Sequence, residues 1–160
     1  MKKVKPLFIL LTILLFTFLV SKYCYQLCLI HGKSMEPTYH SWQLTLIDKR
    51  ADAPKAGTVV AVRCNALNAV IVKRVVAVPG DSLIIKDGIL YVNGTKSTAI
   101  SPAAYYQNAG IAANIIHLKE SEYFLLGDNC AESIDSRSES VGVISASDIL
   151  GTIIPQRVAQ

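Results

Sequence analysis

"NAVIVKRVVAVPGDSLIIKDGILYVNG", Asn68 to Gly94, decides how the chain folds. Its apolar residues are largely β-branched and fall into short runs, broken at Pro79-Gly80 and again at Asp87-Gly88. Short β-branched runs bounded by turn residues read as strands, and Asp-Gly between two apolar runs is a strong hairpin signal. On both sides the pattern continues. "QLTLIDK" (43–49) alternates, "GTVVAVRC" (57–64) follows Pro54, "EYFLLGDN" (122–129) runs into a turn, and "DILGTIIPQ" (148–156) supplies a closing strand. The polar, alanine-rich stretch from Thr95 to Asn114 reads as loop. With no strongly helical window in this region and no internal repeat, the expected fold is an all-β domain of curled antiparallel sheets, a barrel-like sandwich.

The N-terminal thirty residues are of a different kind. Leu7 to Val20 carries no charge and Leu7 to Ile30 only Lys22. A helix rising 1.5 Å per residue over that length crosses the roughly 30 Å hydrocarbon layer of a bilayer. Lys2, Lys3 and Lys5 precede it, so the positive-inside tendency leaves the N-terminus in the cytoplasm. The expected division is therefore a cytoplasmic N-terminus (1–6), a transmembrane anchor (7–29) and an extracytoplasmic domain (30–160). A cleavable signal peptide is the rival reading, but the exit "VSKYCYQLC" (20–28) lacks a small-x-small cleavage site. The net charge of +4 is modest and the basic residues are scattered, which argues against a nucleic-acid partner.

Cys24, Cys28, Cys64 and Cys130 lack C-x-x-C spacing, so zinc ligation is not expected. An oxidising compartment would allow a Cys64–Cys130 disulfide, whereas Cys24 and Cys28 at the membrane face read as small apolar residues.

A serine hydroxyl needs a base and oxyanion donors to act as a nucleophile. His31, His40 and His117 are the only histidines, and none stands in a triad pattern. Lysine can replace histidine where burial disfavours its ammonium form. Lys73 lies in a β-branched run, with Ile71 and Val75 on its strand face. Such a lysine either snorkels at a sheet edge or is functional. "GDNCAESIDSRS" (127–138) gathers three acids, three serines and an arginine. It reads either as a solvated loop or as a polar network beside a site.

Three stretches in this order behind a membrane anchor, "SMEPT" (34–38), "KRVVAVPGD" (73–81) and "GDNCAESIDSR" (127–137), resemble the conserved boxes of the type I signal peptidases, membrane-bound serine-lysine proteases. "DGILYVNG" and "YFLLGDN" are similar to family stretches too. The resemblance implies a β fold shared with self-cleaving repressors, with Ser34 as nucleophile and Lys73 as general base. It implies that Ser133 orients the lysine amine, Asp135 and Arg137 brace the loop, Asp128 supports it, and Gly127 permits its tight path. It makes the Ser34 N–H an oxyanion donor; some relatives add a serine hydroxyl two residues upstream, where this chain has Gly32. Thr58 stands where an aspartate usually follows the glycine. The short connection from Asp81 to Tyr123 implies that the extra domain of larger relatives is missing or reduced.

An extended substrate would add beside Ile30–Ser34 and Ile71–Lys73, with Ile30, Met35, Ile71 and Val72 lining pockets for small side chains. The implied partners are exported preproteins, the lipid bilayer and the secretion translocon; no metal or organic cofactor is implied. A peptidase dedicated to one pilin or conjugation substrate, and a non-catalytic scaffold, are the alternative readings.

Overall fold

The computed structural model describes residues 4–50, 53–100 and 105–155. One helix, α1 (Val4–Tyr23), precedes eleven strands. Seven of these form one antiparallel sheet: β1 (Tyr25–Leu29), β2 (Leu44–Asp48), β3 (Val59–Cys64), β4 (Ala69–Ala77), β9 (Glu122–Leu126), β10 (Ile144–Ser145) and β11 (Ile149–Ile153). Their spatial order is β1-β2-β11-β3-β4-β9-β10. The other four, β5 (Ser82–Lys86), β6 (Ile89–Val92), β7 (Thr95–Lys96) and β8 (Ile116–His117), form a second sheet ordered β7-β6-β5-β8. Both sheets are open-edged, so the architecture is two curled sheets and not a closed barrel.

Each strand of the opening stretch follows from its residues. Asp87 and Gly88 both adopt positive φ, 51° and 74°, as the two-residue turn between β5 and β6 requires. The β3–β4 pair is the longest ladder, running from Val59↔Arg74 to Cys64↔Ala69. The β-branched residues of β3 are buried on both faces: Val60 and Val62 pack with Val75 and Leu125, while Val59, with Ala61, packs with Ile30, Met35 and Ile47. Leu83, Ile85 and Leu90 join Phe124 and Leu126 in a third cluster that seats the small sheet on the large one.

Three boundaries differ from expectation. The apolar N-terminal run does not form one span over 7–29: α1 ends at Tyr23 and Tyr25–Leu29 turns into an edge strand paired with β2 from Tyr25↔Asp48 to Leu29↔Leu44. The apolar run is shared between the helix and a strand whose backbone groups pair with the edge of β2. Within Thr95 to Asn114, residues 101–104 lie outside the described residues, and the remainder includes β7 and a 3₁₀ turn at Gly110–Ala113. The Asp81-to-Tyr123 connection holds the whole four-stranded sheet, a small second layer where the sequence suggested little beyond a hairpin.

All four cysteines are free thiols, so no Cys64–Cys130 disulfide forms. Cys64 is buried at the end of β3, while the Cys130 thiol donates to the Tyr105 carbonyl at 3.2 Å.

Candidate active site

Two loops and one strand meet at a shallow cleft. The first loop follows β1: Gly32 takes φ +91°, Glu36 N–H donates to the Lys33 carbonyl, and Tyr39 N–H to the Met35 carbonyl. This tight turn buries Met35 and Tyr39 against the core and leaves Ser34 half-exposed at its apex. The strand is β4, which brings Lys73 up from beneath. Lys73 is only 4% exposed, and its Nζ donates to Ser34 Oγ at 2.7 Å. Burial pushes the Lys73 amine below the ordinary lysine value of 10.5, while the nearby Asp135 and Asp128 carboxylates pull it back up. A buried amine against a serine hydroxyl is the pairing that general-base activation of a weak nucleophile needs.

The second loop follows β9 and is cross-braced throughout. Asp135, 1% exposed, accepts from Arg137 Nε at 2.8 Å, from Arg137 Nη2 at 3.0 Å and from the Gly127 N–H at 3.1 Å. The other guanidinium bonds of Arg137 reach the carbonyls of Cys130, Asn108 and Ser133, and its guanidinium lies 5.3 Å from the Tyr106 ring centre. Ser136 is fully buried and returns two bonds to the Leu125 backbone, so the loop continues the sheet edge. Asp128 accepts from Arg74 Nε at 2.7 Å, from the second Arg74 nitrogen and from the Thr38 hydroxyl, tying this loop to the first and to β4.

Gly127 is where the loops touch. A Cβ there would sit 2.2 Å from Ser133 Oγ and 2.6 Å from the Ser34 carbonyl oxygen, so only glycine permits the approach. Ser133 packs against Gly127 on the side that also faces the Ser34 carbonyl, with its hydroxyl oxygen buried and unpartnered. No hydrogen bond joins it to Lys73, so the orienting bond that the resemblance implies is absent. Likewise, the Gly32 N–H does not stand open for an oxyanion: it donates to the Ser41 hydroxyl at 3.1 Å.

The cleft itself, about 190 Å³, is lined by Ile30, Met35, Ile71 and Val72, and also by Cys28, His31 and Val70. His31 is therefore near Ser34, but its ring packs edge-on against Trp42 at 5.0 Å while Lys73 holds the serine hydroxyl. His117 bonds Ser82 in the small sheet, and His40 sits 3.9 Å from Glu36 at the surface. Among the described residues no cluster of metal-ligating side chains occurs.

Sequence reasoning missed two contributors. Arg74 follows Lys73, and strand alternation sends the two cations to different partners, Asp128 and Ser34. Asn129, inside "GDNC", donates its backbone N–H to the Ser34 carbonyl at 3.0 Å and its Nδ2 to the Lys33 carbonyl at 3.2 Å. Nothing short of the fold could pair residues so far apart in the chain.

With this geometry in view, the comparison with known proteins is direct: the family described as "Signal peptidase, peptidase S26" matches residues 3–155. The chain belongs to that family. Signal peptidase I of Bacillus licheniformis is 30% identical over 147 residues, covering 84% of this chain and 77% of that protein. Signal peptidase I U of Bacillus subtilis is 29% identical over 162 residues, covering 94% and 86%. Signal peptidase IB of Staphylococcus aureus is 31% identical over 156 residues. The crystal structure of a signal peptidase I from Enterococcus faecalis superposes with a TM-score of 0.51 at 23% identity, over 65% of this chain and 99% of that one, which establishes the shared fold. These S26 relatives do not favour the dedicated pilin-processing alternative.

Proposed function

We propose that this chain is a membrane-anchored signal peptidase that removes N-terminal signal peptides from exported preproteins through a serine-lysine dyad. The observation that carries the reading is the 2.7 Å contact between the buried Lys73 amine and the Ser34 hydroxyl. In the mechanism, neutral Lys73 takes the proton from Ser34 Oγ as the oxygen attacks the scissile carbonyl. The oxyanion forms against the Ser34 N–H. The protonated lysine then delivers that proton to the departing amine, leaving an acyl-enzyme. Water, deprotonated by the same lysine, hydrolyses the ester and restores both groups. Asp128, Asp135, Arg74 and Arg137 hold the frame in which the dyad sits.

The substrate runs extended between Cys28–His31 and Val70–Lys73, adding main-chain hydrogen bonds as a strand would. A cleft this small favours small side chains one and three residues before the cut. The N-terminus lies in the cytoplasm and the β domain on the far side of the membrane, starting at Tyr25. Supporting this placement, Lys5–Tyr23 of α1 form 19 residues of span-like hydropathy, and Lys49 Nζ donates to the Ser21 carbonyl near the helix end. Directly beyond, β1 and β2 expose Leu27, Leu29, Leu44 and Leu46 as cross-strand neighbours beside Trp42, an apolar face at the level where the helix would leave the bilayer.

The test is incubation of the detergent-solubilised full chain with a preprotein carrying an Ala-x-Ala site, with Ser34→Ala and Lys73→Ala alongside. Mass spectrometry should find one cut after the second alanine, abolished in both variants. Wild-type cleavage that survives either substitution overturns the dyad.

A further inference from the structure

We infer that the Asn129 side chain is a positioning residue for the oxyanion donor: by holding the Lys33 carbonyl it aims the Ser34 N–H at the reacting carbonyl. The inference rests on the serine-lysine reading above and deepens it.

The Lys33 C=O and the Ser34 N–H belong to one peptide unit. That unit is planar and trans, so its oxygen and hydrogen point in opposite directions, and fixing one fixes the other. Two donors hold the Lys33 oxygen. One is the Glu36 N–H at 3.1 Å, part of the local turn; the other is Asn129 Nδ2 at 3.2 Å, from a loop 96 residues away. Since the partner is a carbonyl, it is the NH₂ end of the amide that faces it. The Asn129 backbone N–H holds the following peptide unit through the Ser34 carbonyl at 3.0 Å. One residue therefore clamps both peptide planes flanking the nucleophile. The local turn alone could set the shape of the loop. The clamp sets its orientation relative to the loop braced by Asp135 and Arg137.

The same bonds act electrostatically. A donor on the Lys33 oxygen draws charge through the amide and strengthens the Ser34 N–H as a donor, since hydrogen bonds in a chain polarise one another. This matters more here because the Gly32 N–H is committed to Ser41.

Three substitutions read the effect. Asn129→Ala and Asn129→Ser remove the Nδ2 donor while keeping the backbone bond, and Asn129→Asp replaces the donor with a carboxylate facing the Lys33 oxygen. Removing an oxyanion donor outright costs about 10²–10³ in kcat, so misaiming one is expected to cost about tenfold in Asn129→Ala and more in Asn129→Asp. In Asn129→Ala and Asn129→Ser, KM and the midpoint of the pH–rate profile should stay put, because neither the cleft nor Lys73 is touched; in Asn129→Asp the added carboxylate should move that midpoint up. A second readout uses a peptide with a thioamide at the scissile bond, whose sulfur is a weak acceptor. The wild type should discriminate amide over thioamide more strongly than Asn129→Asp does.

A kcat within twofold of wild type in all three folded variants overturns the inference. So does a loss confined to KM, or an unchanged amide-to-thioamide ratio. Ser34→Ala in parallel separates the two readings: if it cleaves normally the dyad itself fails, whereas an inactive Ser34→Ala beside a fully active Asn129→Asp removes only the role of Asn129.

Discussion

Gly127→Ala forces a methyl group into the seam between the two site loops. The new Cβ would stand 2.5 Å from Ser133 Cβ and 2.6 Å from the Ser34 carbonyl oxygen, against the 3.4 Å of ordinary contact. The Ser133 hydroxyl, at 2.2 Å, can rotate away, but the other two atoms move only with their backbones. Each gap must open by roughly 0.8–0.9 Å to relieve the clash. Gly127 is outside the left-handed region, so the cost is steric and falls on the neighbours. One of them is the backbone of Ser34, the proposed nucleophile. A displacement near 1 Å at the reacting atoms costs about 10²-fold, and overpacking destabilises by about 1–3 kcal/mol. We therefore expect folded Gly127→Ala protein, its melting point lowered by several degrees, with kcat reduced about 10²-fold. Circular dichroism in detergent establishes folding and a mass-spectrometric cleavage assay gives kcat. A folded variant cleaving within threefold of wild type would refute the view that this seam positions Ser34.

The cleavage rate should rise with pH to a plateau as Lys73 loses its proton, with a midpoint below the ordinary 10.5 because burial disfavours the ammonium; a flat profile from weakly acidic to alkaline pH speaks against a lysine base. The sign for stability follows from the same depression. Between the folded and unfolded values the unfolded chain binds the extra proton, so wild-type stability rises with pH over that window, and Lys73→Met should lose this slope in denaturant titrations. Trp42 is the only tryptophan and is 68% exposed beside the leucine face of β1 and β2. In proteoliposomes its fluorescence should be quenched by brominated acyl chains; quenching by aqueous acrylamide alone would mean that this face stands clear of the bilayer.

What could be read in the sequence was what local chemistry dictates. β-Branched runs and the Asp87-Gly88 turn announce strands because their φ/ψ preferences act residue by residue. Lys73 stands out by type and setting, but the ordered boxes of the S26 resemblance are what name Ser34 and choose between a snorkelling and a functional Lys73. Long-range pairing was not legible. The end of α1 depends on whether β2 offers an edge to Tyr25–Leu29, which hydropathy cannot report, so helix and strand merged into one apolar run. β8 and β10 are two residues each and exist only because β5 and β9 present partners. Asn129 looks like any turn asparagine until the fold sets it beside Lys33. The Ser133 hydroxyl, expected on Lys73, is instead packed against Gly127, a difference in placement that sequence spacing does not resolve.

The two arginines show how Lys73 could serve as the proposed base in so acidic a setting. Burial disfavours the Lys73 ammonium, but two carboxylates, Asp135 and Asp128, lie close enough to favour it. Left bare, they would offset the desolvation on which the proposed mechanism depends. Each is instead matched by a guanidinium: Arg137 grips Asp135 with two nitrogens, and Arg74 does the same for Asp128. Paired charges project a weaker field than isolated ones, and Arg137 itself pushes the Lys73 amine down. The loop thus gains strong, directional bonds that fix its shape without holding a proton on the lysine. Neutral side chains could have avoided the field altogether, but they would lack the bidentate geometry that spans the loop. Bracing and electrostatic neutrality are met by the same two pairs, and an acid that lost its arginine would hold the proton on Lys73 while every atom of the dyad stayed in place.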